Sequence, residues 1–504
     1  MAPQLRTVRR FKRDPVATQE ALLRSLLQRA ATTEWGHRYG FTDLLHQPRL
    51  AEAYRARVPI HPYDAFAADV SRLREGAADV TWPGSFRHFA VSSGTASAGK
   101  IIPVSEEMLH LNQRFSVGTG LQYLAQSGNG RFLLGKHLSL PGRIEEDPAY
   151  PGTWIGEVSG LVAEQAPAFF KHLHQALPNE VLFRPNWEAK LRAIVEQTHD
   201  MDIRLLVMAP TWALVLLRQL LAYHRERTGV RVDTVSEIWP NLQVFISGGV
   251  ALSSYRELLD ALIGQPTLDF VETYGASEGF FSFQDDLADP SMLLHLDNGV
   301  YFEFVRQEDL GRDAPPRVGI GEVEVGPRYA PILTTCSGLW AYPVGDVVRF
   351  TQTFPHKILV AGRTSEMLDA YGEAVFGEEA RAALEVACAE TGARVAEYHI
   401  APRPAEGEAV PTHQWIVEFE AAPPPSDAFA MAIDRHLQAV NRHYQIRREA
   451  QAFGVPEVTP VPPGTFYRWL QSRGKKISGQ TKIPRMSTER TIATGVVALL
   501  GNNA

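Results

Sequence analysis

The chain has 504 residues, 45% of them apolar and 21% charged. That balance excludes disordered and fibrous classes, and the length exceeds one ordinary hydrophobic core, so two domains of unequal size are expected. A formal charge of −7 excludes a protein whose main work is coating nucleic acid, which relies on clustered cations against phosphate.

The chain starts with a basic stretch (Arg6, Arg9, Arg10, Lys12, Arg13) that no signal-peptide run follows. The two cysteines, Cys336 and Cys388, give neither a disulfide framework nor a metal-ligand spacing, and a cytoplasmic location is expected. Apolar spacing predicts a helix over 18–29, and residues 58–64 (VPIHPYD) read as an extended, proline-broken connection. Residues 86–91 alternate as a strand and run into a small-residue loop, 92–100 (SSGTASAGK), that ends in a lysine. The longest apolar stretch, 205–217, is broken by Pro210 and Thr211 and is too short for a bilayer, so no membrane partner is expected. Strands are predicted at 203–208, 242–246, 267–273, 321–325 and 332–335 with helical patterns between several of them, which reads as α/β. After Ala361, Gly362 and Arg363 the character changes to α+β: helix 377–391, strands 396–401 and 414–420, helix 428–440. The division expected is a large N-terminal domain at 1–362 and a small C-terminal domain at 363–504.

Four segments carry residue types suited to chemistry. The loop 92–100 offers backbone N–H groups, hydroxyls and Lys100 as a grip for polyphosphate, against the plainer reading of a ligand-free surface turn. Its match to a P-loop fails, because Ile101 stands where a Mg²⁺-binding hydroxyl is needed and Pro103 biases Ile102 toward extended backbone where a helix should begin. Residues 273–279 (TYGASEG) place Tyr274 and Glu278 at a strand end, where α/β proteins bind ligands. The ring suits a purine and the carboxylate offers hard oxygen to Mg²⁺, unless the pair is a half-exposed tyrosine and a solvated turn acid. In 342–348 (YPVGDVV), Asp346 after a glycine can accept both hydroxyls of a ribose, or simply occupy a hairpin turn. Residues 474–485 (GKKISGQTKIPR) combine four cations with glycines, a loop able to stabilise charge on a reacting phosphate or a solvated basic turn. The run 207–217 around Trp212 is either an apolar pocket wall or a core helix. No electropositive cysteine or histidine metal spacing points to other chemistry.

Taken in order, these segments resemble the Gretchen Hagen type acyl acid amido synthetases, relatives of the acyl-adenylate-forming enzymes that include acyl-CoA ligases and luciferase. The likeness spans almost the whole chain, from 33–40 (TEWGHRYG) and 58–64 through 92–103, 274–279 and 333–350 (LTTCSGLWAYPVGDVVRF) to 480–485 (QTKIPR). It implies a large adenylate-forming domain of mixed sheets and helices, with a smaller C-terminal domain that moves about a hinge near 362–366. It also implies ATP and Mg²⁺ as cofactors, with a small-molecule carboxylic acid and an amine, an amino acid, as substrates. By position it implies Ser93, Thr95, Ser97 and Lys100 in the phosphate loop, Tyr274 beside adenine, Gly275 among the nucleotide-binding residues, Ser277 near the α-phosphate, Glu278 near Mg²⁺ and Asp346 on the ribose. Gly248 and Gly249 fall in the nucleotide-side loop, Arg363 where related enzymes approach the ribose, and Trp212 beside the acyl pocket. Lys482 matches the mobile-domain lysine that reaches the reacting phosphate; Lys475 and Lys476 compete for that role, because the basic loop is one residue longer than the plant pattern. Pro343 stands where the family usually has Arg and Cys336 where it often has Tyr, so contacts of those side chains do not transfer.

The activity implied is formation of an acyl-AMP with release of pyrophosphate, followed by acyl transfer to the amine, which makes the chain a carbon–nitrogen ligase. The alternatives are transfer to coenzyme A or a carrier-protein thiol, and a nucleotide-binding protein without activity.

Overall fold

A computed structural model describes residues 2–92, 100–310, 312–364, 367, 368, 370, 371, 373, 375–404, 410–474 and 482–501. By its internal contacts the chain divides into two compact units that part between Val360 and Ala361.

The first unit is built on a mixed twelve-stranded sheet. Lys136–Ser139, Ile203–Val207, Val244–Gly248 and Asp269–Ala276 lie side by side and parallel. Parallel neighbours need long crossovers, and helices Pro210–Thr228 and Arg256–Ile263 supply two of them. The chain then reverses sharply: Gly279–Phe283 returns antiparallel to Asp269–Ala276. Beyond it, Met292–Leu294, Val300–Arg306, Arg328–Thr335 and Asp346–Thr353 take antiparallel neighbours. A smaller sheet pairs His88–Val91 antiparallel with Ile101–Val104, so Lys100 is followed by a strand rather than a helix, as the pyrrolidine of Pro103 dictates for Ile102. Among the described residues no helix is long and apolar enough to cross a membrane.

The strand expected at 321–325 does not form. The pair Val318–Gly319 is the strand, after which Glu322 folds back: its carboxylate accepts the Gly319 N–H at 2.7 Å and its own N–H bonds the Gly319 carbonyl at 3.0 Å, closing a turn. Glycines at both ends of the segment carried that signal; the apolar alternation masked it.

Residues 33–40 and 58–64 act as packing. Thr33 caps helix Glu34–Tyr39 through the Gly36 N–H at 3.0 Å, and the Trp35 ring stacks on Phe66 at 4.6 Å. His61 donates from Nδ1 to the Trp340 carbonyl at 3.0 Å and accepts at Nε2 from the Tyr39 hydroxyl at 2.6 Å, two roles that a neutral imidazole fills together; burial pushes its pKa down and keeps it neutral.

In the second unit, strand Thr412–Phe419 lies between antiparallel Val395–Arg403 and parallel Glu457–Val461. Helices Gly377–Thr391 and Ser426–Val440 bury Ala383, Phe429, Ile433 and Leu437 with Trp415 in one core. The strand Glu457–Val461 was hidden from sequence by Pro460 and the prolines that follow it; as an edge strand it tolerates a missing N–H.

One buried ion pair ties the sheet of the first unit to its helical flank. Arg317 binds Glu303 at 2.9 Å, with side chains 5% and 0% exposed, and also donates to the carbonyls of Arg55 and Val58. Removing Arg317 leaves the buried Glu303 carboxylate with Arg55, whose Nε is 3.8 Å away, as a poorer partner. Arg317→Leu is expected to lower the thermal midpoint by about 5 °C. Arg306→Ala, which breaks an exposed pair with Glu324, is expected to shift it by less than about 1 °C in the same melting experiment.

Candidate active site

The turn between Asp269–Ala276 and Gly279–Phe283 consists of Ser277 and Glu278 alone, since Ala276 and Gly279 are register partners. Residues of so short a hairpin turn ordinarily face water, and Ser277 is half-buried, but Glu278 is only 5% exposed. Burial pushes its carboxyl up to about 7; the charge of Asp346 adds to the rise, while Tyr342 and Lys100 oppose it. A turn acid withheld from water is not a solvated corner, and with a second acid and a lysine acting on its charge it is a candidate site.

Asp346 opens strand Asp346–Thr353 and is 7% exposed. Gly345 before it has φ +89, a backbone that an L side chain resists, and this turns the chain into the strand. The Tyr274 hydroxyl donates to Asp346 Oδ2 at 2.8 Å, and the Tyr274 ring, itself buried, packs edge-on against Phe281. Tyr274 therefore serves as an anchor for Asp346, which the sequence did not reveal.

Tyr342 completes the group. Its phenol lies close enough to Glu278 for each to weigh on the other's proton, yet makes no hydrogen bond of ordinary geometry. Just before it, Ala341 has φ +48, unusual for a residue with a side chain. Braces on both sides hold that strain: the Thr334 hydroxyl accepts the Ala341 N–H at 3.0 Å, and the His61 N–H donates to the Ala341 carbonyl at 3.0 Å. The block that presents Tyr342 and Asp346 is thus pinned from behind by the proline-broken connection.

The remaining candidates fall into three groups. Gly248 and Gly249 end strand Val244–Gly248 beside Thr273; a side chain on Gly248 would meet Thr273 Oγ1 at 2.7 Å, which keeps the two strand ends in close contact. Gly275 sits one residue past Tyr274 in the same strand. Trp212 is 4% exposed and packs edge-on against Trp187 at 4.3 Å, while Val207 at the neighbouring strand end is 37% exposed. Arg363 and Lys482 belong to the second unit: Arg363 is exposed at the end of strand His356–Arg363, and Lys482 is half-buried. The segment after Lys482 is fixed to strand Val395–Arg403, with the Ile400 N–H bonding the Arg485 carbonyl at 2.8 Å, His399 Nδ1 donating to the Pro484 carbonyl at 2.6 Å, and Arg485 paired with Glu397. Ser93, Thr95, Ser97, Lys475 and Lys476 lie outside the described residues.

Among the described residues no group of three or more His, Cys, Asp or Glu could cage a metal. The site's donors are two buried carboxylates, a set that suits a hard cation taking its other oxygens from water and phosphate.

Comparison with known proteins agrees with this fold. The GH3 family N-terminal domain model matches residues 4–195 and 182–268, the central domain model 293–363, and the C-terminal domain model 378–491. The indole-3-acetic acid-amido synthetase GH3.4 of Arabidopsis thaliana is 24% identical over 563 residues, spanning 95% of this chain and 91% of that protein. Among solved structures, the GH3.15 acyl acid amido synthetase has a TM-score of 0.78 at 19% identity, covering 96% of this chain and 93% of its own. A 2-hydroxyisobutyryl-CoA ligase in the postadenylation state shares the fold with a TM-score of 0.58 at 15% identity, covering 96% and 91%. With the three domain models following one another along most of its length, the chain belongs to the GH3 family.

Proposed function

We propose that the protein is an ATP-dependent acyl acid amido synthetase: it joins a small-molecule carboxylic acid to AMP and passes the acyl group to the amine of an amino acid. The observation that carries this reading is the buried Glu278 in a two-residue turn, with Asp346, Tyr342 and Lys100 as neighbours, in a chain of the GH3 family. The names of the relatives GH3.4 and GH3.15 support the reaction class.

A free carboxylate does not acylate an amine at neutral pH, because its oxide leaving group is poor and the partners form a salt. In the first step a substrate carboxylate oxygen bonds to the α-phosphorus of ATP while the bond to the bridging oxygen breaks and pyrophosphate leaves. Lys100 and Lys482 neutralise charge on the phosphates, and Asp346 accepts the ribose hydroxyls. Mg²⁺, held through Glu278, supplies further neutralisation when bound. In the second step the uncharged amine attacks the acyl carbon, AMP leaves with the C–O electron pair, and the nitrogen loses a proton. The site's work is positioning and charge neutralisation; no covalent bond to the protein forms.

Three measurements test this. Offered ATP and a panel of carboxylic acids with an amino-acid mixture, hydroxylamine and coenzyme A side by side, the protein is expected to give amides; thioester without amide would assign it to the thiol branch of the fold.

Glu278→Gln is expected to cut pyrophosphate exchange by about 100-fold with an acid that the parent activates. The same change should stabilise the metal-free protein in EDTA at pH 8. Glu278 is held above its ordinary 4.5, so its ionisation costs stability as the pH rises to about 7. The variant should therefore gain about 2 kcal/mol on the parent between pH 5 and pH 8. A variant that loses exchange because it is misfolded would lose stability instead.

Lys482→Ala is expected to reduce exchange by about 100-fold with an unchanged melting temperature, because the side chain is only half-buried. Unchanged exchange would transfer the role to Lys475 or Lys476, or remove it.

A further inference from the structure

Lys100 is exposed, yet its ammonium is not left to wander. It lies 5.7 Å from the ring centroid of Tyr63 and 5.9 Å from that of Tyr342, within the range where a ring face attracts a cation. Tyr63 opens helix Tyr63–Arg74, and its hydroxyl accepts the N–H of Ile101, the residue after the lysine, at 2.9 Å. One side chain thus holds both the charge of Lys100 and the backbone beside it. Ser92 fixes the other edge, its N–H bonding the Lys100 carbonyl at 2.9 Å and its hydroxyl accepting the Lys100 N–H at 3.2 Å. Tyr342, the second ring, is the residue braced by His61 and Thr334 through Ala341, and it borders Glu278. The connection 58–64 therefore reaches the site twice, through His61 behind Tyr342 and through Tyr63 at Lys100.

We propose that Tyr63 and Tyr342 are positioning residues for Lys100, holding its ammonium against their rings so that the lysine is already placed when the phosphates of ATP arrive. A lysine side chain loses many rotamers when it grips an anion, and one confined in advance loses fewer at the moment of binding. The aromatic contact is also weak enough for the ammonium to leave it for a phosphate oxygen. The proposal rests on the reading of Lys100 as a phosphate ligand.

A double-mutant cycle between Tyr63 and Lys100 tests it, with MgATP and adenosine as probes, the latter by displacement of a fluorescent ATP analogue. Tyr63→Leu is expected to weaken MgATP by about tenfold and Tyr63→Phe, which keeps the ring, by about threefold, both leaving adenosine affinity unchanged. In the Lys100→Ala background neither change should weaken MgATP further. Equal losses with and without Lys100, or an equal loss for adenosine, would overturn the proposal by making Tyr63 a purely structural residue. Should the leucine variant fail to fold, the phenylalanine variant still completes the cycle. The Lys100→Ala arm separates the two failures: if that variant binds MgATP as tightly as the parent, the phosphate role of Lys100 falls, and the positioning role with it.

Discussion

Keeping a carboxylate dry at the tip of a two-residue hairpin is costly, and the first unit is arranged around doing so. A glutamate at such a turn gains most by pointing into water, so burying Glu278 sets ionisation against desolvation and leaves the group undecided near neutrality. The parallel strands bring Gly248 and Thr273 together at one edge, and the reversal after Ala276 carries Glu278 back over that edge. From the antiparallel half of the sheet come Tyr342 and Asp346, the latter tied to Tyr274 across the seam. Parallel strand ends and an antiparallel hairpin thus meet at one acid, as the switch in sheet direction requires.

Holding that arrangement falls to residues that touch no reacting group. Ala341 keeps a backbone angle that favours glycine because Thr334 and His61 satisfy both of its backbone polar atoms. His61 is held neutral by burial, so it can donate to Trp340 and accept from Tyr39 at once. The Trp340 indole donates to the Thr81 carbonyl at 3.0 Å. These contacts make a rigid backing for a strained segment, the condition under which backbone strain persists.

Much of this was legible in the residues. Pro103 told against a helix after Lys100, and the strand Ile101–Val104 stands there. The alternation of strands and helices, and the helix over Gly377–Thr391, were readable from apolar spacing. What stayed hidden depends on contacts between distant positions. Nothing local separates a buried turn glutamate from a solvated one, so the burial of Glu278 emerged only when strands from both halves of the sheet were set beside it. Tyr274 read as a purine platform from its place at a strand end, and the bond from its hydroxyl to an acid 72 residues away could not be read from the sequence. The motif 58–64 read as a connection, and its histidine and tyrosine gained meaning from partners at positions 341 and 101.

The brevity of the Ser277–Glu278 corner also governs how this protein can diverge. Side chains alternate from one face of a strand to the other, so a single inserted or deleted residue there would swing the glutamate away from Asp346 and reverse every neighbour behind it.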